Sequence, residues 1–284
     1  MIETDFLRHL HRLSLIINKR VASNYIGQRG SIHGGQGLIF KDHRSYTPGD
    51  DFRAIDWKVY GRTDRLHVKR REEERNLTVH VILDFSSSMN FGSKALKKFE
   101  YASMLGIGFA YMALKNNERF VLSTFSDTLD RFKPRRGKKQ LVTILDYLRT
   151  KKPEGESKFE ESLKQYAKFI DSRSMIVIIS DFLYEPEQVR RALFGFKNNT
   201  IKLIQVLDEI EIGMDLNGEF NLKDSETNNT LRTFISPFLR KNYLSKLQDH
   251  NLRMKRLAEG LGATFHTCCI EDNVFDTMFR ILRQ

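Results

Sequence analysis

The stretch from Leu77 to Met89 constrains the fold of this chain more than any other part of the sequence. Its first half is a nearly continuous run of apolar and β-branched residues (LTVHVIL), and the polar cluster DFSSS follows at once. Apolar runs of this kind are typical of strands buried in the centre of a parallel sheet. The sequence therefore predicts a central strand that ends at Asp84, with Ser86 and Ser88 just beyond it.

The segments downstream alternate between strand and helix patterns. The order predicted over residues 77–207 is strand, helix, strand, strand, helix, helix, strand, helix, strand. An inserted β-hairpin is predicted over about 211–236, a long helix over 237–260, and a last strand and helix after it. Such alternation is typical of an α/β fold with a doubly wound, mainly parallel sheet of Rossmann type. We expect one such domain over residues 76–284.

Residues 1–75 do not follow this pattern and are predicted to form a separate N-terminal part. Residues 2–21 carry apolar side chains at helical spacing, which favours a docking helix, with a membrane-surface helix as the alternative. A Gly-rich loop over 26–37 lacks the Lys-Ser/Thr ending of a phosphate-binding loop. Residues 38–69 combine charges of alternating sign with aromatic residues. This favours a partly buried ionic network in an irregular or β segment over an active site.

Composition limits the classes of protein that fit. A hydrophobic fraction of 40% and a charged fraction of 29% describe a globular chain, and no apolar run approaches the ~18 residues of a membrane span. No secretory signal is visible, and the adjacent Cys268 and Cys269 are poor disulfide candidates, one expected to face the core and one outward. We therefore expect a cytoplasmic location, with peripheral attachment at the inner membrane left open.

The polar residues at the strand ends are candidate metal ligands. A second buried run ends in Asp181, and Ser157 lies on a loop between the two strands in sequence. Ligands bind at the carboxyl ends of strands in open α/β sheets, and hard oxygen ligands suit Mg²⁺, Mn²⁺ or Ca²⁺ rather than Zn²⁺. Taken alone, the first three residues could equally cap a helix. The candidate metal ligands are Asp84, Ser86, Ser88, Ser157 and Asp181.

These residues resemble the metal-ion-dependent adhesion site of von Willebrand factor A-type domains. That motif has Asp-x-Ser-x-Ser in one loop, Thr in a second and Asp in a third. Asp84, Ser86 and Ser88 match the first loop and Asp181 the third, whereas Ser157 stands where threonine is usual and keeps the hydroxyl. The resemblance implies a von Willebrand factor A-like fold and a metal-dependent protein-interaction site, completed by an acidic side chain of the partner.

The upstream segment contains a series of short motifs. They are GQGL (35–38), FKD (40–42), RSY (44–46), PGDD (48–51) and IDW (55–57), together with Arg53 and Arg62. These motifs are similar to the signature of a bacterial family called domain of unknown function fifty-eight. Ile39 and Gly61 depart from the residues expected there, and neither is given a role. Members of the family are associated with MoxR-type AAA+ ATPases, so the resemblance implies a partner or adaptor of such an ATPase in complex assembly or client maturation.

Two other classes of function stay open at the level of sequence. A metal-assisted hydrolase could use the same ligands, although no histidine lies near them in sequence and no nucleophile–base pair stands out. The net charge of +11 would suit a protein that binds nucleic acid or an anionic membrane surface, but the basic residues are spread along the chain without a basic-aromatic groove motif. We therefore expect a non-enzymatic interaction protein.

Overall fold

The computed structural model describes residues 39–72, 77–216, 218–223 and 229–283. The predicted docking helix over 2–21 and the Gly-rich loop over 26–37 lie outside these residues. Within them the chain divides into two compact units, residues 39–72 and residues 77–283. The first carries the sign-alternating charged segment, and the second carries the candidate metal ligands.

The first unit is built on two antiparallel strands and a short helix. Strand β1 (Ile39–Ser45) pairs with β2 (His67–Glu72), with Ser45 opposite His67. Between them, the Asp56 side chain accepts a hydrogen bond from the Lys58 amide and caps helix α1 (Trp57–Thr63). The expectation of a β segment is met by the two strands, whereas α1 was not predicted because seven residues are too few to show a helical period.

The charges of this unit form local pairs and caps rather than one buried network. The Arg44 guanidinium donates to Asp50 with an Nη1–Oδ2 distance of 2.7 Å, and His43 Nε2 lies 2.9 Å from Asp56 Oδ2. Only Asp56 of these acids is buried. The aromatic side chains are not buried with it, since Phe52 is 65% and Trp57 60% exposed. The aromatic side chains of Phe52 and Trp57 therefore do not shield these ionic pairs from water.

The second unit is organised on a six-stranded sheet. Its strands are β3 (Thr78–Asp84), β4 (Arg119–Phe125), β5 (Leu129–Asp130), β6 (Ser174–Ser180), β7 (Thr200–Leu207) and β10 (Ala263–Cys269). Their order across the sheet is β10-β7-β6-β3-β4-β5. All neighbouring strands are parallel except β5, which pairs antiparallel with β4 at one edge. The predicted central strand is β3, and each of its residues is buried.

Helices cover both faces of this sheet. They are α2 (Lys98–Lys115), α3 (Lys138–Thr150), α4 (Phe159–Ala167), α5 (Pro186–Leu193), α6 (Glu209–Gly213), α7 (Pro237–Gly260) and α8 (Val274–Arg283). On one face, α4, α5 and α7 share a core with β6 and β7 through side chains such as Leu163, Val189 and Met254. Helix α2 packs on β3 and β4, and α3 and α8 pack against α2. The predicted α/β, doubly wound, mainly parallel fold is confirmed.

The predicted hairpin is present and starts later than predicted. Strands β8 (Gly218–Lys223) and β9 (Thr230–Ile235) pair antiparallel as a separate two-stranded sheet. The predicted start at about residue 211 is too early, because residues 209–213 form α6. In the last strand, Cys268 is buried and Cys269 partly exposed, as predicted from strand alternation. Over the described part of the chain, no helix combines the length and apolar character that a membrane crossing requires.

Candidate metal centre

The candidate ligands lie at the carboxyl ends of two neighbouring strands. β3 and β6 are paired in parallel, so the loops that follow Asp84 and Ser180 leave the sheet at the same edge. Hydrogen bonds join all five candidate residues there. We refer to Asp84, Ser86, Ser88, Ser157 and Asp181 as the strand-end cluster.

Asp84 is the buried anchor of the cluster. Its side chain has no exposed surface, and its Oδ1 accepts from the Ser86 amide at 2.9 Å. Its Oδ2 accepts from Ser180 Oγ at 2.8 Å, from Ser157 Oγ at 3.3 Å and from the Tyr184 hydroxyl. Burial, and then the charge of Asp181, raise the pKa of Asp84. Asp84 is therefore a hydrogen-bond acceptor that holds three surrounding hydroxyls in place.

Three oxygens of the cluster form a hydrogen-bonded row whose middle member reaches solvent. Ser86 Oγ lies 3.1 Å from Ser88 Oγ, and Ser88 Oγ donates to Asp181 Oδ2 at 2.8 Å. Ser86 and Asp181 are buried, whereas Ser88 is half-buried. This row offers a small ion two hydroxyls and one carboxylate from the side where Ser88 reaches solvent.

The loop that carries Ser157 is fixed by a glycine in a left-handed conformation. Gly155 has φ +82°, and a Cβ there would lie 2.2 Å from Asp127 Oδ2. Its carbonyl accepts from the Ser87 amide at 2.9 Å, and Asp127 Oδ1 accepts from the Glu156 amide at 2.9 Å. Only glycine adopts this conformation and this close approach without strain. The local sequence thus brings Ser157 onto Asp84.

Asp181 is held by an unusual backbone beside it. The buried Phe182 has φ +50°, which is rare for a non-glycine residue and concentrates at functional sites. The Phe182 amide donates to Ser180 Oγ at 3.2 Å, and the Phe182 carbonyl lies 2.8 Å from His250 Nε2. Gln205 Nε2 donates to the Asp181 carbonyl at 3.0 Å. These contacts turn the chain so that the Asp181 carboxylate faces the cluster.

The cluster also contacts a buried lysine, Lys98, which was not predicted from the sequence. Lys98, at the start of α2, is 1% exposed. Its Nζ donates to Asp181 Oδ2 at 3.1 Å and to Glu211 Oε1 at 2.8 Å. Burial alone would lower the pKa of Lys98, but the two acids outweigh it and raise the pKa, so the side chain is an ammonium. We call Lys98, Asp181 and Glu211 the Lys98 triad.

The formal charges of the site favour a divalent cation. Asp84, Asp181 and Glu211 contribute three carboxylates against the single ammonium of Lys98, which leaves a formal charge of −2 when all are ionised. Burial is the first cause that raises the pKa of Glu211, as it is for Asp84. A divalent cation would bring the formal charge of this group to zero and offset the cost of burying uncompensated carboxylates.

The oxygen spacing also fits such an ion. Octahedral Mg²⁺ with ligand oxygens at about 2.1 Å places neighbouring oxygens about 3 Å apart. The two spacings along the Ser86–Ser88–Asp181 row, 3.1 and 2.8 Å, are close to that value. Among the described residues, no group of three or more His, Cys, Asp or Glu side chains could hold a metal. A metal here would therefore depend on serine hydroxyls.

Four contributing residues were missed in the sequence. Ser180 and Tyr184 flank Asp181, and their hydroxyls could have been suspected from that position alone. Lys98 falls on the apolar face of α2, where a charged residue indicates a buried partner. Glu211 lies on the five-residue α6, whose length gives no periodic signal.

The fold defines a class, an α/β protein with a doubly wound, mainly parallel sheet of Rossmann type. Within this class, the chain belongs to the family described as Protein of unknown function DUF58, which matches residues 42–253. The expected family membership is thus confirmed.

Relatives of the chain are themselves of unknown function. An uncharacterized protein of Mycobacterium tuberculosis is 26% identical over 262 residues, which cover 89% of this chain and 81% of that protein. The uncharacterized protein YeaD of Bacillus subtilis is 31% identical over 80 residues, 28% of this chain and 20% of YeaD. These relatives assign no activity to the chain.

Solved structures resemble the chain at a low level. An aerotolerance-related membrane protein of Bacteroides fragilis has a TM-score of 0.45 at 12% identity and covers 73% of this chain and 97% of its own. BatB of Bacteroides thetaiotaomicron has a TM-score of 0.42 at 14% identity, with 73% and 96% covered. Manganese-loaded TRAP of Plasmodium vivax has a TM-score of 0.32 at 14% identity, with 46% and 57% covered. Similarity at this level assigns no function to the chain.

Proposed function

We propose that the strand-end cluster binds a divalent cation, with Mg²⁺ first and Mn²⁺ or Ca²⁺ as alternatives, and that the bound cation docks an acidic side chain of a partner protein. The observation that carries this proposal is the row of oxygens formed by Ser86, Ser88 and Asp181, whose neighbouring oxygens lie 3.1 and 2.8 Å apart. Hard oxygen ligands of this kind suit these ions.

The residues of the cluster divide the work. Ser86, Ser88 and Asp181 would supply oxygens to the ion. Asp84 would orient the hydroxyls around it, because its oxygens already accept four hydrogen bonds. Ser88 and Ser157 are half-buried, so the side of the cluster that they form is where a partner carboxylate would enter. This role is binding, without a chemical step.

The proposed partner is a MoxR-type AAA+ ATPase, or a client that such an ATPase acts on. Membership of the DUF58 family supports this choice, and the function would be assembly of a complex or maturation of the client. The partnership places the protein in the cytoplasm or at the inner-membrane surface, which cell fractionation with an antibody would test.

Metal binding is tested by isothermal titration of the purified protein with Mg²⁺ and Mn²⁺. Ser88→Ala removes the central hydroxyl of the row and is expected to weaken binding about tenfold or more, as is typical when a ligand or its support is lost. Asp84→Ala is expected to abolish binding. Ser87→Ala is the matched control, since its side chain takes no part in the hydrogen bonds of the cluster. Absence of binding in the wild type, or equal binding by all variants, would overturn the metal site.

Partner binding is tested with a purified MoxR-type ATPase from the same genome. Co-elution of the two proteins should require the divalent cation, disappear with chelator and weaken in Ser88→Ala but not in Ser87→Ala. Co-elution that chelator leaves unchanged would contradict the proposed role of the metal. Metal-dependent turnover of a phosphoester or peptide panel, lost in Asp181→Ala, would instead favour the hydrolase alternative.

A further inference from the structure

Lys98 already donates a hydrogen bond to the Asp181 carboxylate, which the proposed metal would also bind. Asp181 Oδ2 accepts from Ser88 Oγ at 2.8 Å and from Lys98 Nζ at 3.1 Å. Ser88 and Asp181 are two of the three residues in the oxygen row. An ion seated on that row would therefore lie a few ångströms from a fixed positive charge.

The lysine is held in that position from its other side. Glu211 Oε1 accepts from Lys98 Nζ at 2.8 Å, and Glu211 Oε2 accepts from the Asp208 amide at 2.8 Å. The side chain of Lys98 is 1% exposed, so it has no route to solvent without disrupting the core. The ammonium thus lies between the two carboxylates, in contact with both.

We propose that Lys98 is a built-in competitor of the divalent cation, which shares the Asp181 carboxylate with it and sets the affinity of the site. This inference rests on the proposed function and names a regulator of that same site. Glu211 reduces this competition, because it draws the Lys98 ammonium away from Asp181 and neutralises the charge of the ammonium. The protein would thereby bind its cation weakly and exchange it readily.

The proposal predicts that substitutions of Lys98 and Glu211 change the affinity for the metal in opposite directions. Loss of the ammonium removes the repulsion of the ion, which at a few ångströms is worth about tenfold or more in affinity even with the screening of a protein surface. Loss of the Glu211 charge leaves the ammonium to Asp181 alone and weakens metal binding. A merely structural role for the Lys98 triad would weaken binding in both cases, since each change would disturb the same packing.

The experiment is a titration of Mn²⁺ into four variants and the wild type. Binding is measured by calorimetry and by the electron paramagnetic resonance signal of free Mn²⁺, and circular dichroism checks that each variant is folded. Lys98→Met is expected to bind Mn²⁺ about tenfold or more tightly than the wild type, and Glu211→Gln to bind about threefold or more weakly. Lys94→Met is the matched control. Lys94 is an exposed lysine on the same segment, paired with Glu209 at 2.6 Å, and its variant is expected to bind within about twofold of the wild type.

The double variant Lys98→Met/Glu211→Gln protects the test against misfolding. It replaces a buried pair with neutral side chains, which is tolerated better than the loss of one charge, and it should also bind more tightly than the wild type. Binding by Lys98→Met and the double variant at or below the wild-type affinity would overturn the inference and leave the metal site standing. Absence of Mn²⁺ binding in the wild type and in every folded variant would overturn both.

Discussion

Two groups of charges in this protein follow opposite rules. In the Lys98 triad, 1% of the Lys98 side chain, 5% of Asp181 and 20% of Glu211 are exposed, and the two acids lie 83 and 113 positions from Lys98 along the chain. The Arg44–Asp50 pair is six positions apart and leaves 39% of the arginine side chain exposed. A buried charge depends on each of its partners, whereas an exposed pair competes with water and contributes little. The comparison teaches that the accessibility of a charge, rather than the number of its neighbours, decides how much stability is lost when the charge is removed.

The largest expected effect comes from removing the buried ammonium. Lys98→Met leaves the buried Asp181 carboxylate without its cation, and breaking a buried pair in this way costs about 3–5 kcal/mol of unfolding free energy. Urea denaturation in the presence of chelator measures the change. Lys94→Met, the exposed control, should change the unfolding free energy little. Equal losses in the two variants would remove the distinction between buried and exposed charges.

The next effect concerns two buried histidines. His80 and His266 are buried, and burial lowers the pKa of each from 6.5 to about 4. Because their pKa is lower in the folded state, the unfolded state binds more protons between these two values, and stability falls as the pH falls. The loss is about 2 kcal/mol for each histidine between pH 6.5 and 5.

Urea denaturation at several pH values between 5 and 7 checks this dependence. His80→Gln can keep a hydrogen bond to the Tyr166 hydroxyl, which lies 2.9 Å from His80 Nδ1, and it should remove about half of the decline. A decline of the wild-type size in that variant would show that His80 is not its source.

A smaller effect separates two glycines with the same backbone hand. Gly155 and Gly49 both have positive φ, but a Cβ at Gly155 would collide with Asp127, whereas Gly49 faces open space. Gly155→Ala is expected to cost about 1–3 kcal/mol and Gly49→Ala about 1 kcal/mol. Thermal denaturation of the two variants makes the comparison. Asp127→Ala in the Gly155→Ala background should recover the steric part, and failure to do so would place the cost in the backbone alone.

The smallest effect is expected for the exposed pair. Arg44→Met removes a two-pronged interaction with Asp50, but both groups keep access to water, so the loss of stability should be well below that of Lys98→Met and should shrink further as salt is added. Urea denaturation at low and high salt measures it. A large loss that salt does not reduce would mean that this pair behaves like a buried one.

Most of the fold of residues 77–283 could be predicted because its signals are local. The buried strands are apolar runs, and α7 carries a signal at each end, with Ser236 as the cap and Gly260 as the last residue. Helices α1 and α6 were not predicted, since seven and five residues are too few for a period. The site divides in the same way. The cluster residues could be found from the strand ends, but the partners of Lys98 lie too far along the chain for any local pattern to indicate them.

The distances within the Lys98 triad also set an order of events during synthesis. A ribosome releases Lys98 ahead of Asp181 by 83 positions and ahead of Glu211 by 113 positions, so over that interval the ammonium lacks one or both of its acids. Withdrawing an unpaired charge from water is costly, and we therefore expect α2 to bury its first turn only after the chain has emerged past α6. The completed site thus reports that the sheet from β3 to β7 has been assembled, which makes it a late landmark on the path from nascent chain to folded protein.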